Sequence, residues 1–141
     1  MTQSAPTAIN VRMQSRLLEV EFETVSFSLP FELLRVYSPS AAVRGHGEGQ
    51  EVLQTGKREV SITALQPIGN YAVEPHFTDG HNTGIFTWEY LYWLGENQDS
   101  LWRDYLDKLQ RAGYAGDTGR DTNPVWPTQE KSYPNETKKP S

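Results

Sequence analysis

The sequence contains no cysteine. Disulfides, thiolate metal ligands and a cysteine nucleophile are therefore excluded. Basic residues are also few: 13 Lys and Arg stand against 18 Asp and Glu, for a net charge of −5. No run of Lys and Arg occurs. Nucleic-acid binding, which needs a basic face to release counterions from phosphates, is not expected. Long apolar runs are missing too, so no membrane contact is expected. The start, MTQSAPTAINVRMQ, lacks the basic and apolar regions of a signal peptide, and the expectation is a cytoplasmic protein. Hydrophobic residues make up 36% of the 141. That share is below the globular average, so part of the chain is expected to stay unfolded and the rest to form one domain.

What is present alternates first. In LLEVEFETVSFSLP, Leu18, Val20 and Phe22 share one face and Glu19, Glu21 and Glu23 the other. After Thr24 the parity changes to Val25, Phe27 and Leu29. A hairpin loop at Glu23-Thr24 keeps both apolar sets on one face, with Phe22 opposite Val25. Pro30 suits the start of a short helix with Phe31, Leu33 and Leu34 inward, and Pro39 forbids its continuation. A glycine-rich stretch, SAAVRGHGEGQEVLQTGK, reads as a long loop. Two further strands follow. Val60 and Ile62 lie on one, Tyr71, Val73 and Phe77 on the other, with QPIGN as the turn between them. Pro75 requires an edge or a position where no ladder donor is needed. TWEYLYWLG reads as a helix capped by Thr87 and stopped by Gly95. DSLWRDYLDKLQRAG reads as a second, capped by Asp99 or Ser100, with Leu101, Trp102, Tyr105, Leu106 and Leu109 buried and Gly113 at its end.

The expected fold is thus α+β: a small antiparallel sheet, a short helix after the first hairpin and two C-terminal helices. Its expected limits are a flexible N-terminus over 1–8, a domain over 9–113 and a disordered tail over 114–141. The last 28 residues hold four Pro, with Trp126 and Tyr133 as candidate docking side chains.

Chemistry-bearing motifs are sparse. G-x-S-x-G, S-x-x-K, a P-loop and a strand-borne G-x-G-x-x-G are all missing. The glutamate row of the first strand reads as a solvated face. His46 sits in RGHGEG, an exposed loop, and His76 shares the polar strand face with Glu74. His81 lies in DGHNTG, where Asp79 can bond backbone amides and Gly80 supplies positive φ. That places an imidazole just past a strand end, as a turn anchor or as a binding group. No zinc-type ligand spacing occurs. Trp88, Tyr90, Tyr92 and Trp93 read either as core or as a pocket wall.

The segments LEVEFETVSFSLP, FELLRVYSPSA and IGNYAVEPHFTDGHNTGIFTWEYLYWLG resemble the domain of unknown function 971, the gamma-butyrobetaine-hydroxylase-like N-terminal domain, in its stand-alone bacterial form. The resemblance spans Ile9 to Gly95. It implies a compact domain on antiparallel strands, found alone, at the N-terminus of 2-oxoglutarate oxygenases of the carnitine pathway, and fused to iron–sulfur carrier ATPases. In the oxygenases the module is similar to a zinc-binding, non-catalytic unit with the pattern L-R-x-x-C-P-C-x-x-C and a later D-G-H turn. Ser38, Ser40 and Val43 fall on the three cysteines and His81 on the histidine. The resemblance also brings the Leu34–Ala41 segment close to the D-G-H turn, and it puts the oxygenases' iron site in a separate domain.

Two readings result. In one, the chain is a non-catalytic binding or adaptor domain without cofactor or metal, serving iron–sulfur or other metalloprotein assembly. Its partner is a protein, an iron–sulfur carrier ATPase or an oxygenase. In the other, it is a small metal-binding protein, enzyme or oxygenase accessory using His81, His46 and nearby carboxylates. For the first, the expected recognition corner is Arg35, Ser38, Ser40, Asp79, His81 and Trp88. Arg35 either offers its fork of donors to a ligand carboxylate or phosphate or pairs internally with Asp79.

Overall fold

The computed structural model describes residues 4–45 and 51–121. The chain starts with a meander of β1 (Ala8–Arg12), β2 (Leu17–Glu21) and β3 (Ser26–Pro30). The hairpin register matches the alternation: Leu18 faces Leu29 and Val20 faces Phe27. Just beyond, the Phe22 amide donates to the Val25 carbonyl at 2.7 Å, enclosing Glu23-Thr24 as the loop. Leu18, Val20, Phe22 and Leu29 are all buried. Strand β1 was not foreseen, because Ile9 and Val11 give too short an alternation to stand out. It pairs with β2 from Ala8 opposite Glu21 to Arg12 opposite Leu17.

Helix α1 (Phe31–Val36) follows Pro30 directly, and all six of its residues are buried. A four-residue turn of helix, α2 (Ala41–Arg44), begins the expected loop. His46 lies outside the described residues. The second sheet holds β4 (Ile62–Ile68), β5 (Ala72–Phe77) and β6 (Phe86–Thr87) in that order. β4 runs on through Gln66 and Pro67, which were expected in the turn. Pro67 is tolerated because β4 is the edge strand. The turn itself is carried by Gly69, with φ of 53°. Pro75 lies beyond the β6 ladder, which covers only Ala72 and Val73. Val73 and Phe77 point inward as expected, but Tyr71 is half exposed and Ala72 is buried in its place.

The two expected C-terminal helices are one. α3 (Trp88–Arg111) runs through Gly95, Asp99 and Ser100 without a break. Gly95 does not stop it; the glycine makes room for a ring. A Cβ there would stand 2.3 Å from Phe27 Cγ. Phe22, Phe27 and Tyr92 meet edge-on around this point, at centroid separations of 5.1–6.1 Å. Their packing offsets the cost of glycine in a helix, about 1 kcal/mol. Thr87 caps α3 as expected, its hydroxyl accepting from the Tyr90 amide at 3.2 Å. Gly113, with φ of 102°, follows its end. One core joins both sheets, α1 and the first half of α3; a smaller cluster holds Val36, Tyr105, Leu109 and Tyr114.

The first residues of the expected tail, as far as they are described, are folded. Residues 114–121 fold back as a strap ending in a 3-10 turn, Thr118–Arg120. Tyr114 is buried. The Gly56 and Arg58 amides donate to the carbonyls of Gly119 and Arg120 at 2.9 and 2.7 Å. Arg120 grips both oxygens of buried Glu32 at 2.9 and 2.8 Å and lies 4.9 Å from the Trp102 ring centroid. These partners are 88 residues apart in sequence, so no local pattern announces them. Trp126 and Tyr133 lie outside the described residues.

Candidate functional site

Helix α1 ends at Val36, and the chain then passes Ser38, Pro39 and Ser40 beneath the turn that follows β5. That turn is closed by the Gly80 amide donating to the Phe77 carbonyl at 3.0 Å, and by the Phe77 amide donating to the His81 carbonyl at 3.0 Å. Gly80 has φ of 89°, as the D-G-H reading required. Asp79 Oδ1 accepts from the His81 amide at 3.2 Å. The imidazole is thereby aimed at the end of α1. Its Nε2 lies 2.8 Å from Ser38 Oγ and 3.2 Å from Ser40 Oγ. Gly84 makes the approach possible, because a Cβ there would fall 2.1 Å from Ser38 Oγ.

Five of the six expected residues thus converge. Arg35 Nε donates to Asp79 Oδ2 at 2.9 Å and its Nη1 to Gln54 Oε1 at 3.0 Å. The guanidinium is engaged internally, and Arg35 is only 7% exposed. It does not offer a free fork to a ligand. Trp88 is the exception. Its indole donates to the Asn70 carbonyl at 2.9 Å, at the β4–β5 turn. Lys57 and Gln54 were missed. Lys57 Nζ reaches Asp79 Oδ2 at 2.6 Å from the end of the glycine-rich loop, where periodicity carries no signal. His76 turns to Glu74, 3.3 Å away.

Burial alone would raise the Asp79 pKa. The hydrogen bonds from Lys57 and the His81 amide, with the charges of Arg35 and Lys57, outweigh it and hold the carboxyl down to about 2. Burial lowers the pKa of His81, and the Arg35 charge lowers it further against the pull of Asp79. The neutral ring is therefore favoured. Whichever ring nitrogen carries the proton, the imidazole and the two hydroxyls complement one another.

The residues do not suit the zinc that the resemblance implies. The donor set is one imidazole and two neutral hydroxyls, and both hydroxyls lie within hydrogen-bond distance of the nitrogen that would face a metal. Val43, at the fourth position, has no donor atom and is 7% exposed. Zinc sites take thiolate, imidazole or carboxylate. Among the described residues no group of three His, Asp or Glu is placed to hold a metal ion. Hydrogen bonds and packing link the segments directly.

A half-open groove of about 680 Å³ lies beside the corner. The end of α1, α2, residues 51–54 and one face of α3 enclose it, and Ser38 and Gln54 stand in its wall. The nearby tyrosine hydroxyls are satisfied internally. Tyr37 donates to the Leu101 carbonyl at 2.7 Å, Tyr90 to the Tyr37 carbonyl at 2.6 Å and Tyr105 to the Gln54 carbonyl at 2.7 Å. Burial pushes the Tyr37 phenol up to about 12. What the groove presents is ring surface: Tyr90 and Trp93 stack at 5.5 Å, and Trp93 is 44% exposed.

Two three-stranded antiparallel sheets clasped by one long helix, with a polar corner beside a preformed groove, define a small α+β domain. A family described as gamma-butyrobetaine hydroxylase-like, N-terminal, matches residues 9–92. The chain belongs to that family. It is similar to a protein solved by NMR in solution at 42% identity and a TM-score of 0.71, over 87% of this chain and 93% of that one. A second NMR structure shares 48% identity with a TM-score of 0.68, over 78% and 83%. A crystal structure of a protein of unknown function from Acidithiobacillus ferrooxidans, of the DUF971 family, shares 45% identity with a TM-score of 0.54, over 64% and 91%. No curated protein matches. Among the described residues no helix is long and apolar enough to cross a membrane.

Proposed function

We propose that the chain is a non-catalytic binding domain for a protein partner, and that the corner of Arg35, Ser38, Ser40, Asp79 and His81 fixes its recognition surface. The observation that carries this reading is the shared wall. Ser38 and Gln54 belong both to the polar network and to the groove. A groove held in one shape by buried hydrogen bonds loses little entropy on binding. The same geometry argues against nucleophilic catalysis. Ser38 is 1% exposed, and Asp79 accepts from the His81 amide, so it does not orient the ring. The partner we propose belongs to iron–sulfur or other metalloprotein assembly in the cytoplasm, such as an iron–sulfur carrier ATPase or an oxygenase. This rests on the domain fusions that the family resemblance implies, which is analogy.

The test is affinity capture with the full chain, beside His81→Ala and Gln54→Ala variants shown by circular dichroism to keep the fold. A reproducible partner that binds about tenfold more weakly to the variants supports the proposal. Capture unchanged by both substitutions contradicts it. So does turnover of 2-oxoglutarate or a hydrolysable ester by the wild type that His81→Ala abolishes.

A further inference from the structure

We infer that the groove between α2 and α3 docks an acidic segment of a partner protein that carries one apolar or aromatic anchor. This rests on the reading of the chain as a binding domain and adds the chemistry of what is bound. The anchor site is the exposed ring surface of Trp93 stacked on Tyr90, with Val52, 51% exposed, on the rim. Half-exposed Trp and Val around a concave surface mark a docking site more specifically than single scattered apolar residues do. The rings need no rearrangement to receive an anchor. The Tyr90 hydroxyl is tied to the Tyr37 carbonyl, which fixes that ring.

The charge on the anchor's flanks follows from the rim. The groove is lined by three cations, Arg44, Lys108 and Arg111, against two carboxylates, Glu51 and Asp104. Asp107, which pairs with Arg111, balances that count, so the open positive charge of the rim is that of Arg44. Arg44 lies 6.0 Å from the Tyr90 ring centroid and has no carboxylate partner among the described residues. Lys108 and Arg111 are held by exposed pairs one helical turn away, to Asp104 and Asp107. Such pairs are weak and release their cations readily. Trp, Tyr and Arg together are the residues that dominate protein-binding surfaces, and Arg is suited to carboxylates.

The probe is a random-peptide display library panned against the full chain, followed by one enriched peptide in synthetic form. The inference expects Asp or Glu flanking Trp, Phe or Leu among the enriched sequences. It expects chemical-shift changes at Trp93 and Arg44. Arg44→Glu should weaken binding by tenfold or more, and panning on that variant should lose the acidic preference. Trp93→Ala, exposed and tolerable to the fold, should weaken it similarly. Enriched peptides without acidic excess, shifts elsewhere, affinity indifferent to Arg44→Glu, or no enrichment at all would overturn it. Self-association that protects Trp93 would do so too, by assigning the groove to a second copy. A peptide that responds to Arg44→Glu but not to His81→Ala upholds the groove while contradicting the corner. A captured partner with the opposite response upholds the corner and overturns the groove.

Discussion

The β2–β3 hairpin and the His81 corner each join two segments of chain, by opposite means. The hairpin pairs residues at most 13 apart, Leu17 with Pro30, and closes on apolar side chains. The corner joins Ser38 to His81 and Arg35 to Asp79 across 43 and 44 residues, through buried or half-buried polar atoms. Apolar packing depends on area and fit and has no titrating group in it. The polar joint depends on every donor and acceptor keeping its partner and on the charge state of two residues. The two should therefore fail differently.

The largest effect belongs to the hairpin. Leu29→Ala removes a fully buried side chain opposite Leu18. It should cost about 3 kcal/mol in urea unfolding, by the same amount at pH 7 and pH 5. Gly84→Ala comes next. It forces a methyl group to within 2.1 Å of Ser38 Oγ, where a hydrogen-bonded buried hydroxyl has little room to yield. The expected loss is about 2 kcal/mol, with a changed His81 titration that Leu29→Ala does not produce.

Acid should weaken the corner and leave the apolar hairpin contacts unchanged. His81 and Asp79 both have folded pKa values below their ordinary 6.5 and 3.8. The folded state therefore binds fewer protons, and stability falls as pH falls. The contribution of His81 is full above pH 6.5 and is lost as pH drops through its folded value. That of Asp79 is lost between 3.8 and about 2. After allowance for solvent screening of a partly exposed carboxylate, the Asp79 step should be about 1 kcal/mol. Urea midpoints measured across this range in Asp79→Asn should lack that step. Ser40→Ala, which removes the longer of the two contacts to His81, should cost about 0.5 kcal/mol in the same assay. A chelator should leave the melting temperature unchanged, and elemental analysis after chelator-free dialysis should find no stoichiometric zinc.

The hairpin was legible in sequence because its periodicity and its contacts have the same short range. Thr87 was legible as a cap and Gly80 as a turn residue, since each acts within three residues. Gly95 misled because a helix-stopping residue and a helix residue under an aromatic ring look identical without knowing where Phe27 lies. The strap over 114–121 was misread for a related reason. Its polar composition suggests disorder, but Glu32, Gly56 and Arg58 supply partners that composition cannot reveal. The corner was half legible. Motif resemblance brought Ser38 and Ser40 to His81, but nothing local pointed to Lys57, Gln54 or Gly84. Trp88 was misplaced because its nearness in sequence to the turn says nothing of which way a helix's first residue faces.

The account turns on the imidazole of His81 as a neutral, hydrogen-bonded joint between two segments of chain. Its ring nitrogens can be followed directly by long-range proton–nitrogen NMR through a pH titration, with and without chelator. The predicted result is one reversible titration with a midpoint below 6.5, unaffected by chelator and shifted in Ser38→Ala. A ring that fails to titrate until chelator is added, or one with a midpoint at or above 6.5, would contradict the account.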